Sequence, residues 1–304
     1  SNTSFNITVG GDINIQKSTN FYANSGKVIL NGSTAQTVKS SANFKDLQIS
    51  NSDVSLLKAA TVTGTLTIDS GAKIDINGYN LTAGTLANNG NLQLKGSETL
   101  SITTKDTDSG TVTYDGTATG LSYGNAYYNL AINSPSGTMT LDADLDVNGS
   151  LNIIDGSLDV STDNRSINVA GKWSNGDTFI SRSGTVTFDG SSTVTTGGVA
   201  DTNDFHHVIL SGTSATQSTN AIDIDGNFTI SNSGTWETSN LCMYVSGTTT
   251  TGSGTLTNTI PTLSSSSPTD GSTGVVGTVN IILTFSEAVD VESGNITIKK
   301  TSDN

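Results

Sequence analysis

The chain has 304 residues, 33% of them hydrophobic and 13% charged, with a net charge of −14 and a pI near 4.2. A charge of that sign repels a phosphate backbone and argues against nucleic acid as a partner. The single cysteine, Cys242, excludes an internal disulfide framework, and no stretch reaches the ~20 apolar residues of a membrane-spanning helix.

Low hydrophobicity alone would suit a disordered chain. Here, however, the apolar residues alternate with polar ones in short runs, the pattern of half-buried strands. Ser1 opens directly on strand-like sequence with no leader pattern, so the chain is expected to continue beyond both ends.

Three phrases then recur in order. The first is Ser25-Gly26-Lys27-Val28-Ile29-Leu30-Asn31-Gly32, which returns as Ser109-Gly110-Thr111-Val112-Thr113-Tyr114-Asp115-Gly116 and as Ser183-Gly184-Thr185-Val186-Thr187-Phe188-Asp189-Gly190. The second runs from Asn43 to Ser50, with copies from Ala126 to Asn133 and from Asp204 to Ser211, and its aromatics Phe44, Tyr127 and Phe205 lie about 80 residues apart. The third is Gly64-Thr65-Leu66-Thr67-Ile68, matched by Gly149-Ser150-Leu151-Asn152-Ile153 and Gly226-Asn227-Phe228-Thr229-Ile230.

Within each long unit, strand-like runs return about every 20 residues, separated by Gly, Asn, Asp or Ser, and helical periodicity is absent. A sandwich does not explain a long-range repeat, whereas a solenoid does, because each coil buries its inward side chains against the coils above and below. The expected fold class is all-β: a parallel β-solenoid (β-helix) over residues 1–260, with super-repeats of ~80 residues and about 12 to 13 coils, making a rod on the order of 60 Å long.

Candidate sites are few. In Leu141-Asp142-Ala143-Asp144-Leu145-Asp146-Val147-Asn148-Gly149 the alternation sends Leu141, Ala143, Leu145 and Val147 inward and the aspartates with Asn148 outward in one row. Such a row is where calcium could gather, but same-face residues of a flat strand lie nearly 7 Å apart, so the expected role is a solvated acidic face. Ile222-Asp223-Ile224-Asp225-Gly226 repeats the pattern more weakly. Val169 to Trp173 aligns without a gap to Thr82 to Leu86, so Trp173 takes the place of Leu86, Phe179 likewise that of Leu92, and both are expected in the core rather than on a sugar-stacking platform. Trp236 has no clear counterpart.

His206 and His207, the only histidines, occupy the slots of Lys45-Asp46 and Tyr128-Asn129 and are expected to point to opposite faces as spacers. Cys242 lies in the strand-like run Leu241 to Val245 and is expected to be a buried inert thiol. The sequons at Asn80, Asn164 and Asn227 occur at about chance frequency for this composition. Thr248 to Thr251 do not recur at a fixed slot, which speaks against ice binding through threonine ladders.

Near the end the composition shifts. Pro261 and Pro268 bracket a serine-rich stretch read as a linker. After it come Pro268-Thr269-Asp270-Gly271, then Val279-Asn280-Ile281-Ile282-Leu283-Thr284-Phe285-Ser286-Glu287, then Gly294-Asn295-Ile296-Thr297-Ile298. This succession resembles the start of the bacterial Ig-like domain of S-layer proteins and adhesins. The resemblance implies a partial β-sandwich over 261–304, since seven strands cover a complete one and only the first few are present. Residues 1–260 resemble the Asn/Thr/Gly-rich repeat arrays of large bacterial surface proteins.

Together these readings lead to an extracellular, cell-surface structural or adhesive protein: a stalk, a fibre or an S-layer-like filament component. Catalytic, cofactor-binding and metal-ligating residues are all expected to be none, calcium being the one cation in question. Self-association into filaments or arrays is the expected partnership, a glycan or cell-surface partner a further one. The alternative is a carbohydrate-binding or carbohydrate-active β-helix protein, which would use paired carboxylates or Asp with Lys/Arg on neighbouring coils.

Overall fold

A strand that must bury one face, with no helix to cover it, can be covered by the next turn of its own chain. The computed structural model describes residues 5–17, 26–40, 42–198, 203–257, 263–269, 272–273 and 280–285. Those residues contain many short strands and no α-helix. The strands from Ile7–Val9 to Thr255–Thr257 pair in parallel, each with a strand one coil away. The result is a parallel β-solenoid of about 12 turns.

Each coil has three sides. The first side stacks Ile7–Val9, Lys27–Leu30, Asp46–Ile49 and the C-terminal halves of Ala60–Ile68 and Leu81–Asn88. Beyond an interruption it resumes with Ala126–Tyr127, Leu145–Val147, Ile167–Val169, Thr185–Phe188, His207–Leu210, Phe228–Ile230 and Thr249–Thr250. The second side is one unbroken ladder from Ile13–Ile15 to Thr255–Thr257. The third side holds the N-terminal halves of Ala60–Ile68 and Leu81–Asn88 with Leu100–Thr104, and later Ile222–Ile224 with Met243–Val245. Long strands such as Ala60–Ile68 turn a corner through a register shift and so serve two sides.

Side chains of equivalent slots sit directly over one another. On the second side Val54, Ile74, Leu92, Val112, Leu130, Leu151, Trp173 and Val194 form one column. On the first side Leu145, Ile167, Val186, Val208 and Phe228 form another. All of them are buried and belong to a single continuous core.

The three recurring phrases are three neighbouring strands in successive coils. The first copies give Lys27–Leu30, Asp46–Ile49 and the end of Ala60–Ile68, stacked on the first side. The second copies give Thr111–Tyr114, Asn129–Thr140 and Leu151–Asp159, stacked on the second side. The third copies return to the first side as Thr185–Phe188, His207–Leu210 and Phe228–Ile230. The super-repeat is therefore not a whole number of coils. This changes the expected equivalences: Trp173 and Phe179 are in the core as expected, but Leu86 pairs with Leu66 on the first side, whereas Trp173 pairs with Leu151 on the second.

Where the first side is interrupted, the core turns polar. Tyr114, Tyr123 and Tyr127 are fully buried there. The Tyr114 and Tyr127 hydroxyls lie 3.0 Å apart, Tyr123 N donates to the Tyr114 hydroxyl at 2.8 Å, and the Tyr123 and Tyr127 hydroxyls donate to the carbonyls of Asp106 and Gly124. Burial pushes Tyr114 up to about 12 and Tyr127 well above the usual tyrosine range. Further along, Trp173, Phe179, Phe188, Phe205, Phe228 and Trp236 form a chain of mostly edge-to-face contacts with centroids 4.8 to 6.3 Å apart.

Two substitutions separate these cores. Trp173→Ala leaves a large void among aromatic rings and should destabilise its coils by about 3–5 kcal/mol. Tyr114→Phe keeps the shape but strands the buried Tyr123 N–H, and should cost about 1–3 kcal/mol. Urea denaturation followed by far-UV circular dichroism measures both.

Candidate functional site

At the corners, backbone N–H groups leave one ladder before joining the next, and side chains of the preceding coil take them up. Asp46 Oδ1 accepts from Thr65 N at 2.7 Å, Asn129 Oδ1 from Ser150 N at 2.8 Å, and His207 Nδ1 from Asn227 N at 2.9 Å. These are equivalent positions of the three copies. The third phrase begins with glycine because a Cβ on Gly64, Gly149 or Gly226 would come within 2.3, 2.5 or 2.5 Å of those same three acceptors. The sequon asparagines play the same part: Asn80, Asn164 and Asn227 accept from Thr99 N, Ser183 N and Thr248 N at 2.9, 3.0 and 2.9 Å.

The histidines do not diverge as alternation predicted. His206 lies at a bend just before the strand begins, so strand alternation does not govern it, and its ring meets that of His207 edge to face at 4.4 Å. Only His207 caps the next coil, and burial, then the neighbouring His206, hold its imidazole below the ordinary histidine range.

The aspartate row from Asp142 to Asp146 faces solvent as expected, over buried Leu141, Leu145 and Val147, but Ala143, expected inward with them, is only half-buried because Asp142 and Ala143 form a bend where strand alternation does not hold. Asp144 Oδ1 accepts from Ser166 N at 2.9 Å, another corner cap. A grouping of three carboxylates forms elsewhere. Asp223 and Asp225 share one strand face, and stacking brings buried Asp204 of the preceding coil beside them, with ligand atoms of all three within 4.8 Å of one another. Oxygen donors at such separations suit a hard divalent cation. Sequence spacing within one strand missed this because the third carboxylate comes from the coil below. The sequence has no Lys or Arg between Arg182 and Lys299.

Trp236 is fully buried, pairing with Ala215 and Leu256 in the core. Cys242 is half-buried rather than buried, because among the described residues no strand stacks beyond Met243–Val245. Hydroxyl ranks that the sequence did not reveal exist on the second side. Ser191, Ser214, Thr235 and Thr255 stack in one rank, and Thr193, Thr216 and Thr257 in the next, with Glu237 interrupting it. Thr248 to Thr251 take no part in them.

One open groove of about 600 Å³ lies on the third side, lined by Thr61, Thr63, Thr82, Gly84, Ser101, Thr103 and Lys105 over a floor of Val62, Ala83, Leu100 and Ile102. Thr61, Thr82 and Ser101 stack in register across three coils.

Past the solenoid, Leu263–Ser267 pairs antiparallel with Ile282–Phe285, the only antiparallel pair among the described residues. The serine-rich stretch read as a linker is thus itself largely strand, its hydroxyl-bearing residues opposite the Ile-Leu-Thr-Phe phrase. Residues 257–304 match the bacterial Ig-like domain family. The Ig-like segment covers a small share of the chain and leaves the solenoid outside the match; of the phrases behind the resemblance, Gly294 to Ile298 and the Asp270-Gly271 turn lie outside the described residues. No curated protein and no solved structure is detectably similar to this chain. An Ig-like segment following a β-solenoid is consistent with a bacterial surface repeat protein. No helix among the described residues is long and apolar enough to cross a membrane.

The cap made by His207 requires the neutral ring. As pH falls below ~6.5 the unfolded chain takes up this proton before the folded one does, so the contribution is complete above that pH and declines below it. His207→Asn keeps an acceptor, as Asn129 does, and should remove this part of the acid sensitivity. His207→Ala should lose about 1 kcal/mol at neutral pH. Urea midpoints measured between pH 5 and 8 compare the two.

Proposed function

We propose that this chain is a non-catalytic structural and adhesive element of the bacterial cell surface: part of a stalk, fibre or S-layer-like filament that holds an Ig-like module away from its base. The observation that carries the reading is the union of an uninterrupted coil-on-coil core with an Ig-like segment directly after it. A solenoid lengthens by adding coils without redesigning any of them, which suits a spacer. An acidic exterior favours solubility outside the cell.

Two further observations support a scaffold over a carbohydrate-active enzyme. Active sites gather groups with shifted pKa values in a cleft. The most shifted groups here, Tyr114, Tyr123 and Tyr127, bond to one another and to backbone inside the core. The two shortest carboxylate–cation pairs among the described residues, Asp159 with Arg182 and Lys95 with Asp115, both at 2.6 Å, join successive coils, so their charge neutralisation serves stacking.

Self-association into filaments or arrays is part of the proposal, since the parallel pairing that joins coil to coil also joins separate chains wherever a strand edge is unpaired.

Antibodies raised against the solenoid should label intact, unpermeabilised producer cells, and electron microscopy of the full-length protein should show rods joined into fibres. Labelling confined to permeabilised cells would remove the surface assignment. Dispersed monomers at all protein concentrations, with and without calcium, would remove the assembly. Release of new reducing ends from polysaccharides by the purified protein would favour the enzymatic alternative.

A further inference from the structure

The groove on the third side has properties that a spacer does not require. It crosses three coils at the ~4.8 Å spacing of paired strands, so its length is roughly 10 Å. Each coil brings two small residues to it: Thr61 and Thr63, Thr82 and Gly84, Ser101 and Thr103. Thr63 donates to the carbonyl of Phe44, whereas the hydroxyls of Thr61, Thr82, Ser101 and Thr103 make no hydrogen bond to the described protein residues. Four hydroxyls, each able to donate and to accept, therefore face solvent in a regular array. Gly84 adds a place where the wall has no side chain, and half-buried Leu100 a patch of apolar surface.

The charge of the groove is the reverse of the protein's. None of its lining residues is acidic, in a chain of net charge −14, and Lys105 stands at one end. Lys105 is held in place: its ammonium donates to the carbonyl of Tyr123 and lies 5.1 Å from the centre of that ring. With one donor so used, the remaining N–H groups are available to a ligand.

We propose that this groove binds a linear, carboxylate-bearing glycan of the uronic acid class, with about two sugar rings over the hydroxyl array and one carboxylate on Lys105. A polymer whose repeat advances by a length close to the coil spacing of ~4.8 Å presents the same hydroxyls to each coil in turn, and rigid sugar rings exchange hydrogen bonds with neutral hydroxyls at little entropic cost. The groove contains no aromatic platform, so single-site binding is weak and gains strength from many copies of the protein on one surface. This binding goes beyond the scaffolding role, which stands whether or not the groove is occupied.

The test is titration of the whole chain, followed by NMR, with tetragalacturonate and with uncharged cellotetraose. Tetragalacturonate should bind with a Kd of about 1 mM or tighter, and cellotetraose more weakly. Lys105→Met should abolish the preference between them. The triple variant Thr61→Val, Thr82→Val, Thr103→Val, which keeps side-chain size at one half-buried and two exposed positions, should weaken tetragalacturonate roughly tenfold, with an unchanged circular dichroism spectrum as the control for folding. Absence of binding by either sugar, a preference for cellotetraose, or equal affinity in the triple variant and the wild type would each overturn the proposal.

Discussion

In a β-solenoid each inward side chain is covered by its counterparts one coil up and one coil down, and by the side chains that point in from the other sides. That constraint governs this protein. A slot on the second side must hold a residue compatible with the slots it touches, from Val54 through Leu130 to Val194, and a polar residue admitted at one level needs partners at the same level. The tyrosine cluster shows how strict this is. Three hydroxyls enter the core together, and each finds a hydroxyl or a carbonyl.

The corners carry the complementary requirement. Turning from one side to the next takes backbone N–H groups out of the ladders, and the chain meets this with short acceptors placed one coil earlier. Asp46, Asn129 and His207 do it in the repeated phrases, with Asn80, Asp144 and Asn164 elsewhere. The high Asn, Asp, Ser and Thr content thus has a specific cause, namely stitching coil to coil where the sheet hydrogen bonds pause.

Much of the fold was legible because strand alternation and the repeats are local signals. Val28, Leu47 and Leu66 could be placed inward from their own neighbours alone, and the Thr-Phe phrase at 284–285 was readable as an Ig-like strand. What stayed hidden depends on which residues of different coils become neighbours. The recurring phrases change sides between copies, so Leu86 and Trp173 matched in sequence without being equivalent in space. Asp204 joins Asp223 and Asp225 only through stacking, and the hydroxyl groove needs three coils in register before it exists. His206 escaped its expected direction because it precedes the strand by one residue, where alternation has not yet begun.

The unequal distribution of aromatic rings has a spectroscopic corollary. Both tryptophans, Trp173 and Trp236, lie in the later coils and belong to the same chain of ring contacts, while the coils before them contain no indole. Solenoids come apart as nearest-neighbour units rather than all at once. Indole emission therefore reports on the later coils alone, and the earlier aliphatic coils can melt without changing it.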